Sequence, residues 1–191
     1  MRSSARSVVV TSCLLLALVL SGVAAGSTQN APAKKWVAVF CGSVATWEQA
    51  VKSSAGKLES TVSGLKHAGT LDLPKAKVKL VGFLAGLVGS TQVMVRKIKA
   101  VGAPNVTNGS KIQAGVLTAF GQVATAFEQG RKSAQALPTT SPTAFSKAAK
   151  ALATTIQANA NRAGAAVGTL SRYSTKPLND AAKNEPACKK L

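Results

Sequence analysis

Histidine and acidic residues are scarce in this 191-residue chain, which carries one His and six Asp or Glu against 24 Lys or Arg. A lone His67 has no second imidazole beside which to build a zinc or haem site. Met94 sits in an apolar stripe and reads as core rather than as an axial ligand. There is no G-x-S-x-G, and a triad would have to join His67 to Asp72 or Asp180. Glu48 and Glu59 lie about 16 Å apart along a helix, too far for a glycosidase carboxylate pair. No catalytic, metal or cofactor-binding residue is expected, and the chain reads as non-enzymatic.

Aromatic residues make up only 4% of the chain. This argues against base-stacking surfaces and hence against nucleic acid as a partner. It also argues against a β-sandwich, which needs Val, Ile, Tyr and Phe at alternating positions.

At the N-terminus, Arg2 and Arg6 form a positive region, Val8 to Leu20 an apolar run, and Val23-Ala24-Ala25 a small-residue cleavage site. This pattern predicts a cleaved signal peptide over residues 1–26. The apolar run is too short to span a bilayer, which takes ~20 residues, so no transmembrane helix is expected in the mature chain. Val23 stands where a lipoprotein would carry its cysteine, so a secreted, extracellular or wall-associated protein is expected. Cys13 leaves with the signal, and Cys41 and Cys188 remain as a disulfide pair for an oxidising compartment.

Residues 27–35, with Pro32, read as a disordered leader to a single helical domain over 36–191. Four segments with helical period follow, predicted at 36–67, 73–101, 109–137 and 142–173, with no sheet. Their signals are Asp72 with Pro74, Gly102 with Pro104, Pro138, and Ser141-Pro142. Gly69 is the expected stop of the first helix. Pro177 breaks the fourth, and Asn179 to Glu185 is expected to form one more short turn. Asn105-Val106-Thr107 and Asn108-Gly109-Ser110 match glycosylation sequons and read as a polar interhelix turn.

Short links between helices of similar length predict an all-α, up-down-up-down four-helix bundle with a short C-terminal tail, tied by one disulfide. In that topology Cys41 and Cys188 meet at one end. Trp47, Leu84, Phe120, Phe127, Leu152 and Ile156 are expected to be buried together. Gly82, Gly86 and Gly89 lie in a charge-free run from Leu80 to Val95 and are expected to serve close helix–helix packing, the other reading being an apolar face that meets lipid.

Phe40-Cys41-Gly42, Trp47 and the tail Glu185-Pro186-Ala187-Cys188-Lys189-Lys190-Leu191 resemble small exported helical proteins of actinobacteria, many of them lipoproteins of unknown function. The resemblance implies an exported helical domain. The lipidation cysteine is missing here, so the resemblance brings neither a membrane anchor nor site residues.

The formal charge is +18, or +16 once Arg2 and Arg6 are removed. Lys75, Lys77, Lys79, Arg131 and Lys132 are expected at one end of the bundle and Lys97 and Lys99 at the other. Cationic ends suit an anionic wall polymer, lipid headgroups or a protein partner, through counterion release rather than a pocket. The alternative is a carrier of a small apolar ligand in the bundle core, enclosed by the glycine-lined face of the second helix and neighbouring helices.

Overall fold

A computed structural model describes residues 30–64, 66–67, 70–168, 173 and 175–191. The described chain is all-helical apart from one minimal ladder. In order it runs α1 (Ala33–Gly64), β1 (Lys66–His67), β2 (Thr70–Leu71), α2 (Leu73–Ala100), α3 (Gly109–Gln135), α4 (Pro142–Gly168), α5 (Lys176–Asn184) and a closing 3-10 turn (Cys188–Lys190).

The helix boundaries follow local chemistry. Asp72 caps α2 by accepting the Lys75 backbone N–H at 3.1 Å, and Pro74 occupies the first turn, where no N–H is needed. Ser141 does the same for α4, accepting the Ala144 N–H at 3.3 Å. Asn108 begins α3 at φ 60°, a left-handed conformation that asparagine tolerates. Gly109 must follow it, because a Cβ there would collide with the Pro104 carbonyl oxygen.

Three expectations are corrected. The leader does not extend to residue 35. Ala31 is buried, donates its N–H to Ala103 O and accepts from Asn105 N–H, both at 2.7 Å, and α1 has begun by Ala33. Ala103, in the loop after α2, is itself buried, and Ala31 supplies the partner its carbonyl needs there. Second, β1 and β2 pair antiparallel with Lys66 opposite Leu71 and His67 opposite Thr70, where no sheet was expected. α1 ends at Gly64, and the expected stop at Gly69 lies outside the described residues.

Third, there are five helices among the described residues, not four. Pro177 does not end structure. It sits in the first turn of α5, whose Leu178 is buried. α1 packs on α2, α2 on α3 and α3 on α4, while α5 and the closing turn return to α1. Among the described residues α4 therefore has α3 as its main neighbour, and α5 occupies the flank of α1.

The core lies between α1, α2 and α3. Leu84 and Ile98 have no exposed surface and Met94 only 2%. The Trp47 ring meets Phe120 edge-on at 6.0 Å, and Trp36 stacks on Phe40 at 5.1 Å. Trp47, Leu84, Phe120, Phe127, Leu152 and Ile156 belong to one cluster as expected, with Trp47 and Ile156 at its partly buried edge. α4 reaches that cluster where Gly130 of α3 lets Leu152 and Ile156 approach the α3 backbone.

Candidate functional site

Cys41 and Cys188 are joined. Cys41, in the third turn of α1, is bonded to Cys188 with Cα atoms 4.9 Å apart across 147 residues of sequence. The bond holds the C-terminal tail and α5 on the N-terminal part of α1. Cys41 is buried at 5% exposure and its sulfur belongs to the core, so the bond is structural in character.

The seven expected cations divide in two. Lys75 and Lys79 are exposed on the first turns of α2, and Lys97 and Lys99 are exposed on its last turn, about 30 Å away at ~1.5 Å per residue. Lys132 is exposed near the end of α3. Lys77 donates to the Leu137 carbonyl at 3.1 Å. That bond brings the start of α2 to the end of α3 and places Lys75, Lys77, Lys79, Arg131 and Lys132 at one end of the molecule. Two of the seven are structurally engaged, however: Lys77 through that bond, and Arg131 through a two-pronged pair with Glu128 at 2.8 and 2.7 Å. This hydrogen-bonded pair holds the Glu128 carboxyl below the usual range and raises Arg131. Lys75 pairs with Asp72 at 3.0 Å, leaving Lys79, Lys97, Lys99 and Lys132 without an ion pair among the described residues.

Glu48, weighed as a carboxylate of a pair, is engaged by Lys52 at 3.4 Å. Met94 is core. No group of three or more His, Cys, Asp and Glu that could hold a metal ion occurs among the described residues.

Of the readings open for the glycine face of α2, close packing is the one the structure contradicts. A Cβ at Gly82, Gly86 or Gly89 would meet nothing within 4 Å, so these glycines face open space and serve no close helix packing. By length and composition α2 could cross a membrane, and only 22% of its most apolar stretch is buried. Leu84, Leu87, Met94 and Ile98 take the inward face, and the opposite face keeps Val78 and Val93 in solvent. The signal was present in the two apolar stripes of this helix. Only packing could decide which of them turned inward.

Two grooves follow from this. One, of about 410 Å³, is bounded by Leu58 of α1 and by Val78, Gly82 and Phe83 of α2. The other, of about 240 Å³, is bounded by Trp47 and Ala50 of α1 and by Val93 and Met94 of α2. Both open onto the surface rather than lying inside the bundle.

No protein-family model, curated protein or solved structure matches this chain.

Proposed function

We propose that this is an exported, non-enzymatic, basic helical protein of the cell envelope that attaches to an anionic surface through its cationic ends. In this reading residues 1–26 are a signal peptide, and the protein belongs with the small exported helical proteins it resembles. Helices α1 to α4 run up-down-up-down, and α5 is strapped to α1 by the disulfide. The observation that carries the reading is the set of unpaired, exposed Lys79, Lys97, Lys99 and Lys132 on a chain with a formal charge of +18. Exposed cations with few acidic neighbours attract polyanions and release their counterions. Wall polymer, anionic headgroups and an acidic protein partner all present that chemistry. The alternative, a carrier with its ligand inside the core, has less to support it: Leu84, Leu87, Met94 and Ile98, the inward side chains of α2, are buried in one cluster.

The test is retention of the mature protein on an anionic polymer as salt rises. Binding is expected at low salt and should fade by several hundred millimolar, as the Debye length falls from ~10 Å at 0.1 M toward ~3 Å at 1 M. Lys75→Gln, Lys79→Gln and Lys132→Gln should each weaken it in a small step. Lys77 is left out because its substitution would also remove the bond to Leu137. Absence of binding at low salt would leave the charge without this role.

A further inference from the structure

The two grooves beside α2 belong to one seam. On α1 the lining positions run Trp47, Ala50, Ser54, Leu58 and Thr61, and on α2 they run Val78, Gly82, Gly86, Ser90, Val93 and Lys97. Each series keeps to steps of three or four residues, so the grooves lie end to end on one face of the α1–α2 pair. From Val78 to Lys97 the seam is roughly 28 Å long at ~1.5 Å per residue.

Its lining is mostly apolar surface, interrupted by Ser43, Thr46, Ser54, Thr61 and Ser90, with cations at the ends. Three large hydrophobic residues stand exposed among the described residues. Two of them, Val78 at 68% and Val93 at 44%, are on this seam. Gly82 and Gly86 form a floor without side chains, with open space where a Cβ would stand. Lys57 and Lys79 flank one end and Lys97 the other, no acidic residue lines either groove, and none of the three lysines has an ion pair among the described residues.

We infer that the α1–α2 seam binds one acyl chain of an anionic single-chain amphiphile, with its headgroup against Lys57 and Lys79. The apolar strip is bounded on α1 by exposed Gln49, Lys52 and Ser53 and on α2 by exposed Gln92 and Arg96 at the Val93 end, while along Gly82–Gly89 its α2 border is the small Ala85 and Gly89. A strip so bounded fits one chain, whereas a bilayer would require a broad apolar face. Half of a ~30 Å hydrocarbon core is one leaflet's share, so the seam accommodates a full-length membrane acyl chain. A second copy of this protein is disfavoured by charge, since either orientation of two seams brings lysines against lysines. A partner helix would look for a large aromatic or Arg anchor site, and the glycine floor offers none. This inference goes beyond attachment by the cationic ends and does not depend on it: a buried chain resists salt, while surface attraction does not.

The test is titration of the disulfide-bonded mature protein with palmitate below its aggregation concentration, followed by tryptophan emission, because Trp47 lines the seam. Saturable binding of one palmitate per protein is expected, persisting at several hundred millimolar salt. Hexadecyltrimethylammonium, which has the same chain and the opposite charge, should bind at least tenfold more weakly. Gly86→Leu, which fills the floor, should weaken palmitate by tenfold or more, and Gly89→Ala, outside both linings, should leave it unchanged. Lys57→Gln and Lys79→Gln should each cost about fivefold. Circular dichroism shows whether Gly86→Leu is folded, and Gly82→Leu serves as the second plug if it is not. Palmitate binding that ignores both plugs, or equal affinity for the cationic amphiphile, overturns the assignment. So does binding to phosphatidylglycerol vesicles with none to monomeric palmitate, which would mean docking on a bilayer. Protein dimerisation through the seam, reversed by Gly86→Leu, would overturn it in favour of a second copy.

Discussion

The indole N–H of Trp36 donates to the side-chain oxygen of Gln113 at 2.8 Å, and the Gln113 amide nitrogen donates to the Ile98 carbonyl at 2.7 Å. One buried glutamine thus links α1, α2 and α3. Ile98 lies among the last carbonyls of α2, which have no partner within their own helix, so Gln113 also completes the end of that helix. Gln113→Leu strands a buried donor and a buried acceptor together. The expected loss is about 1–3 kcal/mol of unfolding free energy, measured by urea denaturation. Adding Trp36→Phe removes the stranded donor and should cost less in the Gln113→Leu background than in the native protein. Equal costs in both backgrounds would show that the two side chains are uncoupled.

Glycines of this chain should respond in opposite directions. At Gly130 an added Cβ would stand 3.1 Å from Ile156 Cδ1 and 3.2 Å from Ile156 Cγ1. Gly130→Val overfills this contact and should destabilise the protein by about 1–3 kcal/mol, loosening α4 first because α3 is its main neighbour. Gly89 has open space around it, so Gly89→Ala should stabilise by about 1 kcal/mol through helix propensity alone. Denaturant midpoints for the two variants should move apart, and a destabilising Gly89→Ala would show that this glycine has a packing role.

Reduction of the Cys41–Cys188 bond should lower stability by up to about 5 kcal/mol, given the near-complete loop it closes. The first segment to loosen should be α5, nine residues long and resting on Leu178. A helix of that length is marginal without tertiary support. Hydrogen exchange in α5 should therefore rise under reductant before exchange in α2 or α3 does. Uniform exchange across all helices would mean that the bond supports the whole core equally.

Much of this fold was legible because punctuation and pattern agreed. Asp72, Pro74, Ser141 and Pro142 mark helix starts through backbone chemistry that needs no tertiary context. The cysteine pair followed from parity, compartment and shared position. What the sequence withheld were choices between equivalent readings. α2 is apolar on more than one side, so its pattern does not decide which stripe is buried, and the exposed glycines looked like packing glycines. Pro177 stops one helix and suits the first turn of the next equally well. The cationic cluster was legible as an address along the bundle. The engagement of Lys77 by Leu137 O and of Arg131 by Glu128 was not, because both depend on angular positions around a helix.

The Glu128–Arg131 pair makes a prediction about acid. Both residues sit on α3 three positions apart, and hydrogen bonding to Arg131 holds the Glu128 carboxyl below its ordinary value. A carboxyl depressed by folding contributes stability that is complete above the unfolded value and is lost as pH falls through the folded one. The contribution should therefore be intact at neutral pH and disappear below about pH 4, where unperturbed carboxyls titrate. It should be small, because both side chains are partly solvated, and salt should reduce it further. In an NMR titration of the Glu128 carboxyl carbon, Arg131→Ala should move the midpoint upward. An unmoved midpoint would mean that the two prongs of the pair do not persist in solution. Arg131 would then be as free as Lys132 to meet an anion, and Arg131→Gln should weaken retention on an anionic polymer as much as Lys132→Gln does.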